Sequence, residues 1–338
     1  MNKKRKLLTA FAAIPLLLIG IAVYGYRKPK ETEPEFVFSY AENQTEDYPT
    51  TLAAQFFAEL VEKRTNGRIR IMVHPEAALG TEDEVIKQVQ YGGVDFARVS
   101  LSQLARTVPE MNVLQMPYLY ESSSHMWRVL DGEIGDAFLA CVEDSEIVGL
   151  SWYDAGTRNF YSSVKPITCV GDMTGMRIRV QESELMQDMV EALGAIALPF
   201  DYAEVYSSLE RQLCDGAENN WPSYETMRHY EVAPYYSVDE HSRVPEMQIC
   251  LMHTWSKLSE EDRQVIRECA EESARYQRTL WTQREQEARQ KALDNGVQEV
   301  LLTQEEKQRF RERMQGVYEQ YCSEYMDIID EITAKREE

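Results

Sequence analysis

Gly175-Met176-Arg177-Ile178-Arg179-Val180, followed some forty residues later by Asp215-Gly216-Ala217-Glu218-Asn219-Asn220, is the stretch from which the fold is best read. Alternation puts Met176, Ile178 and Val180 on one face of a short strand and both arginines on the other. A planar guanidinium held on a strand can grip a carboxylate with two parallel hydrogen bonds. Two solvated arginines on an exposed face would fit the same pattern. Working outward, Phe36-Val37-Phe38 opens a strand, and the spacing of Phe56, Phe57, Leu60 and Val61 predicts a helix over 50–63 that Asn66-Gly67 ends. Strands follow at 69–73, 94–99 and 147–153, with helices at 82–91 and 124–141 between them. A second set begins at Gly156, with strands at 159–163 and 176–180 and helices at 183–193 and 203–213. Strands alternating with helices of this length mean an α/β architecture. Internal repeats of fixed period are absent.

The C-terminal third reads differently. Ser259-Glu260-Glu261-Asp262 has the form of a helix N-cap with an acidic third residue. Helical spacing then runs without Pro or Gly to Asn295-Gly296, roughly 35 residues, far beyond the usual helix and suited to a strut across two lobes. Thr303-x-x-Glu306 repeats the capping signal before a last helix reaching 333.

With 338 residues, 43% of them hydrophobic, the chain can bury a substantial core. Its 57 acidic and 36 basic side chains give a formal charge of −21, which argues against nucleic acid as a partner. That charge also opposes the approach of an anion, so anion capture must rest on a few local arginines. The six cysteines (141, 169, 214, 250, 269 and 322) lack metal-ligand spacing and read as isolated thiols rather than a disulfide framework. The five histidines share no close spacing, and neither a nucleophile elbow nor a phosphate-cradling glycine loop is present. No metal, cofactor or catalytic residue is expected. Lys3-Lys4-Arg5-Lys6 precedes an uncharged run from Leu7 to Tyr26, about 30 Å as a helix and enough to span a bilayer. No Ala-x-Ala site follows it, so residues 1–30 read as an uncleaved anchor more than a removed signal, and 31–35 as a tether.

From about Phe36 to the C-terminal helices the chain resembles the extracytoplasmic substrate-binding proteins of tripartite ATP-independent periplasmic (TRAP) transporters. The resemblance is carried by Thr65-Asn66-Gly67-Arg68-Ile69, Leu79-Gly80-Thr81-Glu82, Met116-Pro117-Tyr118-Leu119, Gly156-Thr157-Arg158, the Gly175–Val180 strand, Glu204-Val205-Tyr206, Asp215-Gly216-Ala217-Glu218-Asn219 and His229-Tyr230-Glu231-Val232, in order. It implies a two-lobed, periplasmic-binding-protein-like α/β fold with a cleft between the lobes and a long C-terminal helix spanning both. Lobe I is expected from 36–155 with 245–284, and lobe II from 156–244 with 285–338.

The resemblance also implies roles. Arg179 matches the principal carboxylate-binding arginine and Arg158 a second cleft arginine, whose other reading is a hinge side chain capping carbonyls. Arg177 is kept as solvated surface. Asn219 matches a ligand-contacting asparagine, with Asp215-Gly216 as the turn delivering it, and Tyr202 an aromatic over the ligand; Trp221 would stack likewise or sit in the core. Glu82, Glu182 and Ser100 match positions near the ligand, and Asn43 and Gln44 lie on a loop able to reach the cleft. His229 reads as structural. Ionised carboxylates only accept hydrogen bonds, so Glu82 and Glu182 suit a polyhydroxylated acid better than a bare dicarboxylate. The function implied is an extracytoplasmic solute-binding subunit, a monomer that captures a uronate or aldonate and hands it to membrane permease subunits. The alternatives are a C4-dicarboxylate carrier, the ligand-binding module of a surface sensor, and a cell-surface enzyme on acidic sugars.

Overall fold

Alternating apolar residues pair Phe36–Ala41 (β1) with Ile69–His74 (β2) in parallel, Tyr40 opposite Val73, and the helix Pro49–Arg64 between them covers one face with Ala53, Phe57 and Val61. The computed structural model describes residues 33–336; the apolar run at 7–26 read as an anchor lies outside them. The first sheet has the order β2-β1-β3-β10-β4, with Phe96–Ser100 (β3) parallel to β1. Glu246–Leu251 (β10) is inserted antiparallel between β3 and Ile147–Tyr153 (β4). The second sheet has the order β11-β9-β5-β8-β6-β7. It comprises Arg158–Ser162 (β5), Arg177–Val180 (β6), Ile196–Pro199 (β7), Gly216–Asn219 (β8), Tyr235–Ser242 (β9) and Gln298–Leu301 (β11). The fold is thus a two-lobed α/β arrangement in which the chain passes between lobes after β4, after β9 and along the long helix.

That helix, Glu260–Asp294, is 35 residues long, about 50 Å at 1.5 Å per residue. Ser259 caps it by accepting from the Asp262 N–H at 3.1 Å. Its first half packs on Pro49–Arg64 and β4, and its second half on the helix Trp221–Thr226. Midway it grips the first crossing segment: Gln277 donates to the Asp154 carbonyl and accepts from the Asp154 N–H, both at 2.8 Å.

Two expected helices are broken. The run at 124–141 is Ser123–Leu130 and Glu133–Ala140, separated at Asp131-Gly132 where Gly132 is extended. The last run is three helices, Gln304–Arg313, Gln315–Cys322 and Met326–Ala334. Its buried residues fall at Phe310, Met314, Val317, Cys322, Ile329 and Ile332, and the three helices are separated at Met314 and at 323–325. The final helix returns to the first lobe, where the His125 ring meets the Ile332 carbonyl at 2.8 Å and Arg128 donates to the Lys335 carbonyl at 3.0 Å. All six cysteines are free thiols.

β8 lies against β5 at a position with no room for a side chain: a Cβ on Gly216 would sit 2.4 Å from the Tyr161 carbonyl oxygen. Gly216→Ala is therefore expected to destabilise the fold by about 1–3 kcal/mol through forced separation of the two strands. Urea unfolding measures this, and an unchanged midpoint would contradict the close approach.

Candidate functional site: a cleft with three buried arginines

β6 carries Arg179 into the cleft with its side chain buried. Its Nε and Nη2 both donate to the Phe200 carbonyl, at 2.9 and 2.6 Å, and the guanidinium lies 5.7 Å from the Phe200 ring centroid. These contacts fix its plane without neutralising it; among the described residues it has no ion-pair partner. Burial lowers its pKa, partly offset by Glu218, and an arginine remains charged regardless. The cavity it faces is about 360 Å³ and takes Asn43, Gln44 and Glu82 from the first lobe and Gln181 and Tyr202 from the second. A recess of about 40 Å³ behind it adds Arg98, Ser100, Arg158, Asn219 and Glu246.

Arg158, at the start of β5, is held by Glu218 on the neighbouring strand through Nε–Oε2 at 2.5 Å and Nη2–Oε1 at 2.8 Å. Glu218 also faces His241 Nε2 at 3.5 Å, and His241 Nδ1 meets Asp239 at 2.7 Å. Burial alone would raise the Glu218 carboxyl, but Arg158 and His241 outweigh it and hold the group at about 2. Burial would lower His241; Asp239 and Glu218 push it up to about 9. Arg158 is therefore an ion-paired side chain that also caps its partner's carbonyl at 3.2 Å, which fits the carbonyl-capping reading.

Arg98, with its partners Glu42 and Glu246, was missed by sequence reasoning. It is buried in β3, where Nε donates to Glu42 at 3.2 Å and Nη1 to Glu246 at 3.2 Å, with Glu82 at 3.6 Å. Its Nη2 also reaches Glu42 and the Asn43 side-chain oxygen. Three carboxylates thus share one guanidinium. The signal was available: Phe96-Ala97-Arg98-Val99-Ser100 is a lone charge in an otherwise uncharged strand, and a buried charge requires partners.

The structure brings together most of the predicted site residues. Glu82 begins the helix Glu82–Tyr91 and turns inward, accepting from the Ser100 N–H and, at 3.1 Å, from Asn43. Burial raises its pKa, partly offset by Arg98. Ser100 Oγ accepts from Gln181 across the cleft at 3.3 Å. Asn219 is presented by β8 rather than by a turn, its side-chain oxygen accepting from the Asn220 N–H at 2.9 Å. Asp215, just before that strand, pairs with Arg177 at 2.6 Å, so Arg177 is a half-exposed structural ion pair.

Two residues fall elsewhere. Glu182 points outside the cavity, toward Arg106 at 3.5 Å, in a separate surface groove of about 600 Å³. Its neighbour Gln181 takes the inward position, as the strand's alternation dictates. Trp221 is core: it stacks on Tyr236 at 3.5 Å between ring centroids and borders neither cavity. His229 is also structural, its Nδ1 bonded to the Tyr161 hydroxyl at 2.8 Å and its pKa lowered by burial to about 3. Among the described residues no cluster of His, Cys, Asp and Glu has the makings of a metal site.

Comparison with known proteins matches residues 40–324 to the bacterial extracellular solute-binding proteins, family 7. The chain belongs to this family. A solute-binding protein of Chromohalobacter salexigens is 38% identical over 286 residues, covering 85% of this chain and 84% of that one. A TRAP periplasmic solute-binding protein of Xanthobacter autotrophicus, solved with β-D-galacturonate, is 38% identical with a TM-score of 0.85, covering 88% of this chain and 99% of the other. One from Chromohalobacter salexigens, solved with D-glucuronate, is 37% identical with a TM-score of 0.84, covering 89% and 99%. The chain is thus a TRAP-type solute-binding protein, of an extracytoplasmic family devoted to binding rather than turnover.

Within this family fold the Arg158–Glu218 pair carries a stability prediction. Glu218→Gln leaves the Arg158 guanidinium buried without its counter-charge and is expected to cost about 3–5 kcal/mol at neutral pH. Because the folded Glu218 pKa of about 2 lies below its ordinary 4.5, the wild-type advantage is full above about pH 4.5 and is lost as pH falls toward 2. Urea titrations of both proteins across that window check it; a constant difference would contradict the pairing.

Proposed function

We propose that this chain captures a uronate, D-glucuronate or D-galacturonate, and delivers it to membrane permease subunits. The observation that carries the reading is Arg179, a buried guanidinium oriented by Phe200 but without an ion pair among the described residues, beside buried acceptor carboxylates. Arg179 takes the ligand carboxylate, and Glu82, Asn219 and Asn43 sort its hydroxyls. Tyr202 covers the C–H face of the sugar ring, for which an aromatic surface is suited. The uronates in the related solved structures support the same ligand class. Arg158 assists from behind, polarised by Glu218 rather than acting as an independent carboxylate site. A C4-dicarboxylate fits less well, because Arg98 and Arg158 already hold carboxylates and a second anionic end would face Glu82 and Glu246.

Ligand joins the two lobes through Arg179 on one side and Asn43 and Glu82 on the other, so binding favours the closed cleft. The closed form is what the permease subunits recognise, with the body held outside the membrane by residues 7–26.

In a thermal-shift screen of the full chain against uronates, aldonates and C4-dicarboxylates, D-glucuronate or D-galacturonate is expected to raise Tm. Arg179→Ala should weaken that binding by about 100-fold or more, the loss of two charge-assisted hydrogen bonds, while unfolding normally. A shift with succinate or malate alone, or full affinity in the variant, would overturn the reading.

A further inference from the structure

Glu246 was not singled out by the sequence and is not needed to hold the ligand carboxylate, yet it borders the recess beside Arg158, Arg179 and Asn219. It stands at the start of β10, opposite Ser100 on one side and Tyr153 on the other. Its two oxygens are unlike. Oε1 accepts from Arg98 Nη1 at 3.2 Å, whereas Oε2 is buried and has no hydrogen-bond partner. The other carboxylates of the cluster are saturated by comparison. Glu42 accepts from Arg98 and from the Asn43 and Gln44 N–H groups, and Glu82 from the Ser100 N–H and the Asn43 amide. An ionised oxygen buried without a donor is costly, so of the three carboxyls Glu246 is the one for which a proton on the orphan oxygen removes a penalty.

The surroundings point the same way. Facing Glu246 are Arg98, Glu42 and Glu82 within its own lobe, the buried and neutral Tyr153 beside it, and Arg158 with its Glu218–His241–Asp239 chain across the cleft. Arg98 is one positive charge among three carboxylates, and the Arg158 charge is already matched by Glu218. A ligand carboxylate at Arg179 adds another negative charge to this enclosed set. Resting on the uronate reading above, we propose that Glu246 is a ligand-binding residue that works as the neutral acid, and that uronate binding is coupled to its protonation. As an acid it presents an O–H donor to a sugar hydroxyl or ring oxygen, which an ionised carboxylate cannot do. Burial, reinforced by Glu82 and Glu42 and only partly offset by Arg98, raises its pKa to about 8 in the ligand-free protein.

The sign follows. Below pH 7 Glu246 already carries its proton, so binding there takes up little. Above about pH 8 it is largely ionised, so binding must draw a proton from solvent and weakens with pH, approaching tenfold per pH unit.

The test is isothermal titration of the full chain with D-glucuronate from pH 6.5 to 8.5, in pairs of buffers with different ionisation enthalpies. Expected is uptake of well over half a proton at pH 8.5 and little at pH 6.5. Glu246→Gln, whose amide cannot titrate, should bind with an affinity flat from pH 6.5 to 8.5 and with no uptake; Glu246→Ala should bind about tenfold or more weakly than wild type even at pH 6.5. Wild-type binding without proton uptake at pH 8.5 overturns the proposal while leaving the uronate reading intact. Uptake that persists in Glu246→Gln assigns the proton to Glu82 or His241 and overturns it too. Failure of D-glucuronate to bind at any pH, with D-galacturonate as the second probe, overturns both.

Discussion

A guanidinium leaves water at a large cost unless something holds its charge, and this cleft buries three of them. Arg98 is held by Glu42, Glu82 and Glu246, and Arg158 by Glu218, which is itself supported by His241 and Asp239. Arg179 is positioned by a backbone carbonyl and an aromatic ring, which orient it but supply no negative charge. Buried ion pairs contribute little net stability, since desolvation offsets most of their attraction. What they provide here is placement. Two neutralised arginines build a rigid, acceptor-rich wall, and the third is left without a counter-charge among the described residues, which on the proposed reading a ligand carboxylate supplies.

The folding pattern makes this arrangement possible. Arg98 and Glu246 sit on adjacent strands of the first sheet although they are 148 positions apart in sequence, because β10 returns from the second lobe to insert between β3 and β4. Arg158, Glu218 and Arg179 come from β5, β8 and β6, consecutive in the second sheet. The same crossings that separate the lobes therefore carry the charges to the cleft. The long helix, gripping Asp154 through Gln277, ties the crossing segment to both lobes. On the proposed reading, a ligand bridging Arg179 and the Glu82 side would act on the relative position of the two lobes.

The sequence revealed those parts of the site that lie in local signatures. Arg179 and Asn219 stand in short strands with recognisable neighbours, and Glu82 opens the helix expected over 82–91. Arg98, Glu42 and Glu246 were invisible as a set because no spacing links a strand residue, a loop residue and a strand more than a hundred positions later. Glu182 was placed near the ligand by the family resemblance, and Trp221 was left open between stacking on the ligand and the core. Each is turned away by local geometry: Trp221 starts a helix whose first residue faces Tyr236, and Glu182 is one alternation past Gln181. The helix breaks fall at Asp131-Gly132, at Met314 and at 323–325, and only the first carries a helix-breaking glycine in the sequence.

The most direct test of the charge arrangement is a crystal structure of the protein with D-glucuronate. The account predicts the ligand carboxylate on Arg179 within hydrogen-bonding distance, the sugar hydroxyls toward Glu82 and Glu246, and the Arg98 and Arg158 pairs unbroken. A carboxylate seated on Arg98 or Arg158, with Glu246 or Glu218 displaced from its arginine, would contradict it.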